Sequence, residues 1–412
     1  MQKKLSIWLL QTGEPWPLDM AARKMRTAIL ADKLVHRGHS VLWWTSAFDH
    51  FKKAWLFRDD TEISVAPGFH IIALKGAGYK RNISLSRFID HRIIARKFGK
   101  WAVRMPRPDI MMASLPPHDL AYEAVLFAHK NGIPTIIDIR DQWPDIFLDV
   151  VPPRLKKFVR WLFYRDFWLT QKSMQRADSL VAVTATFLDW GLKYAQRQKS
   201  EKDIIFYLGA RRRKPPTGRP SVLGGKLENR FVVTFIGSFG AYHNPSALVN
   251  CAETIRDKDI CFVLAGDGQL LDAVKERASG LPNILFPGWL NEEEIETLLS
   301  HSHVGICPAT RSATLVPNKF FTYLSAGLPV VSAFEGELKK IIEQHEVGFS
   351  YPPNDAAALT RAILRLREDA PLYRKMSENA YLVFHRMFDA ERIYEEYARH
   401  IEQMASPRDR NS

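Results

Sequence analysis

The segment PNKFFTYLSAGLPVVS, residues 317–332, gives the clearest indication of the fold class. Its apolar residues recur at helical spacing, at Phe320, Phe321 and Leu324. Asn318 predicts an N-terminal cap for this short helix, and Gly327 predicts its left-handed stop. The valine pair that follows predicts a buried strand. A helix, a tight turn and a strand in this order are typical of a parallel α/β fold.

The start of the predicted helix suits a diphosphate. Unpaired backbone N–H groups and the positive end of the helix dipole attract anions there, and Lys319 adds a formal positive charge. The alternative is an ordinary helix-to-strand junction that binds nothing. The stretch by itself leaves both interpretations open.

The rest of the chain predicts two α/β domains. At 412 residues it exceeds a single core, and 46% hydrophobic with 25% charged residues is a globular composition. We expect strands at 5–10, 41–45, 70–74, 109–113, 135–139, 180–183 and 204–207, and then at 232–236, 261–265, 284–286, 304–307 and 330–332. The Pro-, Gly- and Arg-rich segment 209–229 is the predicted linker between domains 1–208 and 230–384, and helices are expected at 359–367 and 381–404.

The cysteines and the apolar runs narrow the cellular setting. Cys251, Cys261 and Cys307 stand in or beside apolar runs, which predicts buried thiols in a reducing compartment. The apolar run 5–10 predicts a first strand, with no cleavage site after it. No stretch approaches the roughly 20 apolar residues that span a bilayer. We therefore expect a cytoplasmic protein that is soluble or peripherally bound to a membrane.

The excess of positive over negative charge is confined to the first half of the chain. Residues 1–200 contain 32 Lys and Arg against 18 Asp and Glu, whereas residues 201–412 contain 26 against 27. Basic and aromatic residues alternate in the segments 81–107 and 152–172. This pattern suits helices that dock on an anionic membrane, and the alternative is helices with a buried aromatic face and a solvated basic face. The basic half also raises the hypothesis of a nucleic-acid binder, although no nucleic-acid module is present.

Four segments together resemble the retaining glycosyltransferases of family 4, especially bacterial members that build O-antigen and other polysaccharides. They are FIGSFG (235–240), AGDGQLL (265–271), ILFPGWLNEEEIETLLSHSHVGICPA (284–309) and the opening stretch. The resemblance implies the GT-B fold, in which two Rossmann-like domains face a cleft and a last helix, 385–404, crosses back to the first domain. It also implies a nucleotide-sugar donor, UDP-linked, on the second domain and an acceptor on the first.

The resemblance assigns the donor site residue by residue. The implied donor-binding residues are Gly237, Ser238, Phe239, Gly266, Gly268, Gly288, Pro317, Asn318, Lys319 and Thr322. Trp289 is a candidate to stack on the base, with a core or surface tryptophan as the alternative. The chain departs from the family at Thr314 and Thr322, where two glutamates are usual, and at Ser238, His243 and Asn244, where the family's Arg and Lys are missing.

On the acceptor side, DIRDQWPD (138–145) follows a predicted strand. Asp141 is the candidate base or acceptor anchor, and Arg140 is expected to keep it ionised; a helix-capping Asp–Arg pair is the alternative. Asp145 and Asp149 are further candidates. Gly13, Glu14 and His118 are the predicted acceptor-binding residues, with a structural histidine as the alternative for the last.

Two further features have a structural and a functional interpretation. Arg23 and Arg26 either approach a phosphate or are solvated helix charges. The motif Asp257-Lys258-Asp259 resembles a metal-binding D-x-D, but GT-B enzymes do not need one. We expect no essential metal and no other cofactor.

The sequence thus predicts a glycosyltransferase that transfers a sugar, with retention, from a nucleotide-sugar to a lipid-linked or polysaccharide acceptor. The reaction would take place at the inner face of the cell membrane, and we expect no nucleic-acid partner. Retention of configuration is implied by the resemblance alone. The alternatives are a non-catalytic nucleotide-sugar-binding scaffold on the same fold and a nucleotide-sugar epimerase.

Overall fold

The computed structural model describes residues 3–18, 24–82, 84–149, 151–213, 224–240, 245–256, 259–311 and 315–406. The chain divides into two compact units. The first comprises Met1–Tyr207 together with Tyr394–Ser412, and the second comprises Leu208–Ile393.

The first unit is built on a mainly parallel sheet. Its strands are β1 (Ser6–Leu10), β2 (Ser40–Ser46), β3 (Phe48–Asp49), β4 (Ala54–Trp55), β5 (Thr61–Ala66), β6 (Phe69–Leu74), β7 (Ile110–Leu115), β8 (Thr135–Ile139), β9 (Ser179–Ala182) and β10 (Ile204–Ile205). The sheet order is β10-β9-β8-β7-β1-β2-β6-β5, and only β5 pairs antiparallel; β3 and β4 form a separate hairpin.

Helices flank this sheet in the chain order expected of a Rossmann-like unit. They are α1 (Arg26–His36), α2 (Leu85–Ala102), α3 (His118–Asn131), α4 (Ile146–Asp149), α5 (Lys156–Leu162), α6 (Tyr164–Arg176) and α7 (Ala185–Ala195). Aromatic rings fill the interface between strands and helices. Trp8 lies 5.2 Å from Trp44 and 5.6 Å from Phe127, ring centre to ring centre. Such pairs stabilise beyond the area that they bury.

The second unit is an all-parallel sheet covered by helices. Its strands are β11 (Phe231–Ile236), β12 (Ile260–Ala265), β13 (Ile284–Gly288), β14 (Val304–Cys307), β15 (Val330–Ser332) and β16 (Gly348–Ser350), in the order β13-β12-β11-β14-β15-β16. Its helices are α8 (Ser246–Thr254), α9 (Leu271–Arg277), α10 (Glu292–Ser300), α11 (Asn318–Ser325), α12 (Glu337–Gln344), α13 (Ala356–Glu368) and α14 (Ala370–Val383).

The last helix, α15 (Ala390–Ala405), follows a π-helical turn at Phe384–Phe388 and packs on the first unit. Glu402 accepts two hydrogen bonds from Arg37, both of 2.7 Å, and lies 2.7 Å from Nε2 of His39. Tyr397 stacks on Phe206 with ring centres 4.5 Å apart. The predicted fold class, with two Rossmann-like parallel-sheet units and a last helix that returns to the first, is confirmed.

The predicted strands agree with the observed ones to within a few residues, and two strands were missed besides the two-residue hairpin strands β3 and β4. The first is β5, in which exposed and half-buried residues alternate because it lies at the antiparallel edge of the sheet. The second is β16, which has only three residues. The three cysteines are buried and unpaired, as expected. Among the described residues, no helix combines the length and the hydrophobicity needed to cross a bilayer.

Candidate functional site

The winding of the sheet in the second unit reverses at one point, and the space outside the carboxyl ends of the strands there is called the crevice below. The reversal lies between β11 and β14, which are neighbours in the sheet although two strands separate them in the chain. In open α/β sheets, ligands bind outside the carboxyl ends of the strands at such a switch point. The predicted donor-binding loops follow β11 and β12 here, and α11 follows β14.

Glycines let these loops pack backbone to backbone. Gly237, Gly266 and Gly268 have φ values of +147°, +136° and +148°. A Cβ atom on Gly266 would lie 1.9 Å from the carbonyl oxygen of Gly237, and one on Gly268 would lie 2.7 Å from that of Phe239. No side chain fits at such distances. The sequence pattern therefore marks a place where only glycine lets the backbone come this close.

Lys319 brings a positive charge to this crevice. Its Nζ lies 4.1 Å from the centre of the Phe235 ring and 2.8 Å from the position that a Cβ on Gly237 would occupy. This Nζ is buried and has no hydrogen-bond partner among the described residues. Burial lowers the pKa of Lys319 to about 8. An ammonium group with unused donors is costly to bury, and an anion in the crevice would offset that cost.

Helix α11 begins one residue earlier than predicted, at the residue that was expected to cap it. Pro317 is the N-cap, Asn318 is the first helical residue, and no side chain caps the helix, so the predicted capping role of Asn318 is wrong. Thr322 lies one turn further on, and its hydroxyl donates to the carbonyl of Asn318 at 3.3 Å. Gly327 has φ +67°, which confirms the predicted left-handed stop. Thr314, His243 and Asn244 lie outside the described residues.

The side chains near the glycine loops have different roles from those implied by the resemblance. Phe239 is fully buried against Phe235, with ring centres 5.4 Å apart, so its ring supports the loop and does not reach a ligand. Ser238 is exposed. Gly288 ends β13 with φ +80°, and Trp289 after it is 77% exposed, which excludes the core alternative for this tryptophan.

In the first unit, a buried charge network joins the loop after β1 to the end of β8. Asp138 accepts hydrogen bonds from Nε of Arg26 at 2.9 Å and from Nε of Arg140 at 2.8 Å. Arg140 also bonds to Glu14, which accepts the backbone N–H and the hydroxyl of Thr27 at the start of α1. Burial by itself would raise the pKa of Asp138, but the two guanidinium groups lower it below its usual value.

This network corrects three predictions about unit 1. Arg140 pairs with Asp138 and Glu14, so it does not serve as the charge partner of Asp141. Glu14 is occupied at the N-terminus of α1 and is not free to bind an acceptor, although Gly13 beside it is partly exposed. Arg26 is buried in an ion pair rather than solvated, and Arg23 lies outside the described residues. Sequence reasoning missed Asp138 because an aspartate inside a strand run gave no sign of its partners.

Asp141 lies just after the carboxyl end of β8. Its Oδ1 accepts the backbone N–H of Gln142 at 2.8 Å. Burial raises the pKa of its carboxyl group, and the guanidinium of Arg87 partly offsets that shift. Arg87 itself lies over the Trp143 ring, with its guanidinium carbon 4.6 Å from the ring centre. A partly buried carboxyl group with a raised pKa suits a proton acceptor.

His118 is fully buried and joins helices, so it does not reach an acceptor. Its Nε2 lies 2.6 Å from Asp166 and 3.3 Å from Asp119. The three side chains are close enough to hold a metal ion, but Arg165 lies 2.7 Å from Asp119 and already supplies a positive charge. The cluster is a buried ion-pair network between α3 and α6. Asp145 is likewise occupied, since it accepts hydrogen bonds from Trp190 and Tyr194.

Comparison with known protein families and sequences agrees with this arrangement. Residues 230–369 match the family model "Glycosyl transferases group 1". The chain is 22% identical over 316 residues to the probable glycosyltransferase WbjE of Pseudomonas aeruginosa, covering 74% of this chain and 78% of that protein. It is 28% identical over 166 residues to O-antigen chain mannosyltransferase C of Escherichia coli, covering 40% and 44%.

Solved structures confirm the GT-B fold. Sucrose-phosphate synthase from Thermosynechococcus elongatus superposes with a TM-score of 0.72 at 16% identity, over 97% of this chain and 99% of that one. HepE of Anabaena, solved in complex with UDP, gives a TM-score of 0.68 at 15% identity, over 97% and 100%. The matched family region, 230–369, contains every donor-side segment described above.

Proposed function

We propose that this chain, a family 4-like glycosyltransferase of the GT-B fold, transfers a sugar with retention from a UDP-sugar to a lipid-linked saccharide at the inner face of the cell membrane. Its enzyme class and its use of a nucleotide-sugar in O-antigen or polysaccharide synthesis follow from the family match and the relatives. The nucleotide, the stereochemistry, the acceptor and the membrane are our proposal.

The buried ammonium of Lys319 is the observation that carries the donor assignment. It lies beside Gly237 without a hydrogen-bond partner, at the start of a helix whose first N–H groups also attract anions. When the bond from sugar to diphosphate breaks, the electron pair stays on the phosphate oxygen, and these groups stabilise the charge that develops. HepE is solved in complex with UDP, which supports a UDP-linked donor.

The acceptor hydroxyl must lose its proton as the new bond forms. Asp141 is the proposed recipient, because its carboxyl group lies at the carboxyl edge of the first sheet and forms no ion pair with any residue that the structure describes. Arg140 then acts as a positioning residue: it holds the segment before Asp141 through Asp138 and Glu14. The family's glutamates are absent at positions 314 and 322, so hydroxyl groups would contact the donor there.

The donor assignment is tested by isothermal titration calorimetry with UDP, GDP, ADP and their common sugar conjugates. UDP and one UDP-sugar are expected to bind. Lys319→Met is expected to lower the affinity for both about tenfold or more, since a charge-assisted contact to phosphate is lost. Lys340→Met, which removes an exposed lysine of the same unit, is the matched control. Undiminished binding to Lys319→Met would refute the assignment.

The membrane proposal is supported by helix α5, which buries none of its residues. Around it, Phe158 is 58%, Trp161 72% and Tyr164 68% exposed. Exposed basic residues lie in the same segment, at Arg154, Lys156, Lys157 and Arg160. Rings of this kind enter the headgroup region while the charges meet anionic lipid. The predicted segment 81–107 contributes less, because most of the aromatic rings on α2 are buried in the core.

Vesicle co-sedimentation tests this surface. We expect binding to vesicles with 30% phosphatidylserine and weak binding to pure phosphatidylcholine, because the charges of the segment need anionic lipid. Trp161→Ser is expected to weaken vesicle binding about tenfold, since it removes an aromatic ring that would enter the bilayer interface on binding. Leu382→Ser, at an exposed apolar residue of the second unit, is the control. Equal losses in both variants would contradict a specific membrane surface.

A further inference from the structure

A cluster of cationic and aromatic side chains lies in the first unit near Asp141. Tyr79 follows β6 and Trp143 follows β8, so both stand after the carboxyl ends of parallel strands, and His50 lies in the β3–β4 hairpin that follows the carboxyl end of β2. Arg87, from the first turn of α2, lies among them. This edge of an open α/β sheet is where ligands bind.

The side chains of the cluster touch one another through Tyr79. The guanidinium carbon of Arg87 lies 5.5 Å from the centre of the Tyr79 ring and 4.6 Å from that of Trp143. The Nζ of Lys53 lies 4.8 Å from the Tyr79 ring centre, and Nδ1 of His50 lies 2.6 Å from the Tyr79 hydroxyl. Two full positive charges thus share one aromatic ring.

These like charges lie together without a carboxylate in ion-pair contact in the part of the chain that the structure describes. Arg87 donates to the backbone carbonyl of Asn82 at 2.8 Å, and Lys53 donates to the side-chain oxygen of the same residue at 2.5 Å. Within the described residues neither cation has an ion pair, and Nε of Arg87 is buried without a hydrogen-bond partner. Such an arrangement costs free energy unless an anion occupies it.

Three carboxyl groups lie near the cluster: Asp49 attracts Lys53, and Asp90 and Asp141 attract Arg87, but none of them forms an ion pair with either cation among the described residues. Asp49 accepts the backbone N–H groups of Phe51 and Lys52, and Asp90 accepts that of Gly78, so both carboxyl groups hold loops. Burial and then Arg87 lower the pKa of Lys53. Burial, Arg87 and Lys53 lower the pKa of His50 to about 4, so this imidazole is neutral at pH 7.

We propose that Arg87, Lys53 and the Tyr79 hydroxyl bind a phosphate group of the acceptor and thereby place the acceptor hydroxyl beside Asp141. This inference rests on the proposed function, because it assumes that the acceptor binds to the first unit. A phosphate accepts from the planar fork of an arginine, from an ammonium and from a hydroxyl at once, and its charge offsets both cations.

The test uses titration calorimetry with farnesyl phosphate, farnesol and inorganic phosphate as probes. The protein carries Lys319→Met, so that phosphate does not bind at the donor crevice. Farnesyl phosphate is expected to bind, and farnesol is not. Adding Arg87→Gln or Lys53→Gln is expected to lower the affinity for farnesyl phosphate about tenfold or more, because each substitution removes a charge-assisted contact to phosphate.

Lys100→Gln is the matched control, because Lys100 is an exposed basic residue on the same helix and lies in its last turn. Far-UV circular dichroism verifies that each variant is folded. If inorganic phosphate binds as tightly as farnesyl phosphate, free phosphate is the ligand. If farnesyl phosphate binds more tightly than inorganic phosphate, a lipid carrier is the ligand. Both results support the phosphate site.

Two results would overturn the inference: no phosphate binding at all, or equal losses in Arg87→Gln and Lys100→Gln. If UDP still binds to the protein with Lys319 intact, only the acceptor inference fails. If no nucleotide binds either, the proposed function fails with it.

Discussion

Lys319→Met is expected to stabilise the unliganded protein while weakening nucleotide binding. The ammonium group is buried over Phe235 without a hydrogen-bond acceptor in the described residues, and burial lowers the pKa of Lys319 from 10.5 to about 8. A shift of this size corresponds to about 3 kcal/mol of cost for the charged form. The cation–π contact with Phe235 offsets up to about 2 kcal/mol of this cost. Removing the charge should therefore raise the free energy of unfolding by about 1 to 3 kcal/mol.

The pH dependence has a defined sign. Below pH 8 the lysine is charged in both the folded and the unfolded chain, so the full cost is present. Between pH 8 and 10.5 the unfolded chain binds more protons than the folded one, and the stability of the wild-type protein rises with pH relative to the variant. The stability difference between the two proteins should thus be largest at pH 7 and nearly vanish above pH 10.5.

Urea unfolding followed by circular dichroism, at pH 7 and pH 10, measures this difference. Lys340→Met, at an exposed lysine of the same unit, should change stability little at either pH. A Lys319→Met protein that is less stable than the wild type at pH 7 would refute the argument that the ammonium is a desolvation cost. A stability gain that persists unchanged at high pH would show that improved packing, and not charge, is its cause.

Three further outcomes follow from the two units. Asp141→Asn should lower kcat, measured from initial rates, about 100-fold or more because it removes the proton acceptor, and it should leave nucleotide affinity unchanged. Burial raises the pKa of Asp141, so the acid limb of the wild-type pH–rate profile should lie above the usual aspartate pKa. Asp138→Asn should cost about 3 to 5 kcal/mol in urea unfolding, because Arg26 is left buried and unpaired. Gly266→Ala should abolish UDP binding in calorimetry, whereas Gly240→Ala, which meets no atom within 4 Å, should not.

The backbone geometry of the glycine loops was largely predictable because it is local. The glycines at 237, 266 and 268 mark backbone positions that a side chain would block, and Lys319 is the second residue of α11. The acceptor side was much less predictable. Arg140 and Asp141 are adjacent in sequence, but successive residues at a strand end point in different directions, and Arg140 turns towards Asp138 and Glu14.

The sequence by itself determined the two parallel sheets, most of their strands, the glycine loops and the excess of positive charge in the first half. These features depend on periodicity, composition and local backbone geometry, which are properties of short segments. Only the tertiary structure decided which charged groups are paired. Glu14 pairs with Arg140, and His118 contacts Asp166. Arg87 and Lys53 meet at Tyr79 without an ion pair among the described residues. In each case the partner comes from a distant part of the chain. The charge left unpaired in the folded chain is what distinguishes a binding site from a structural ion pair.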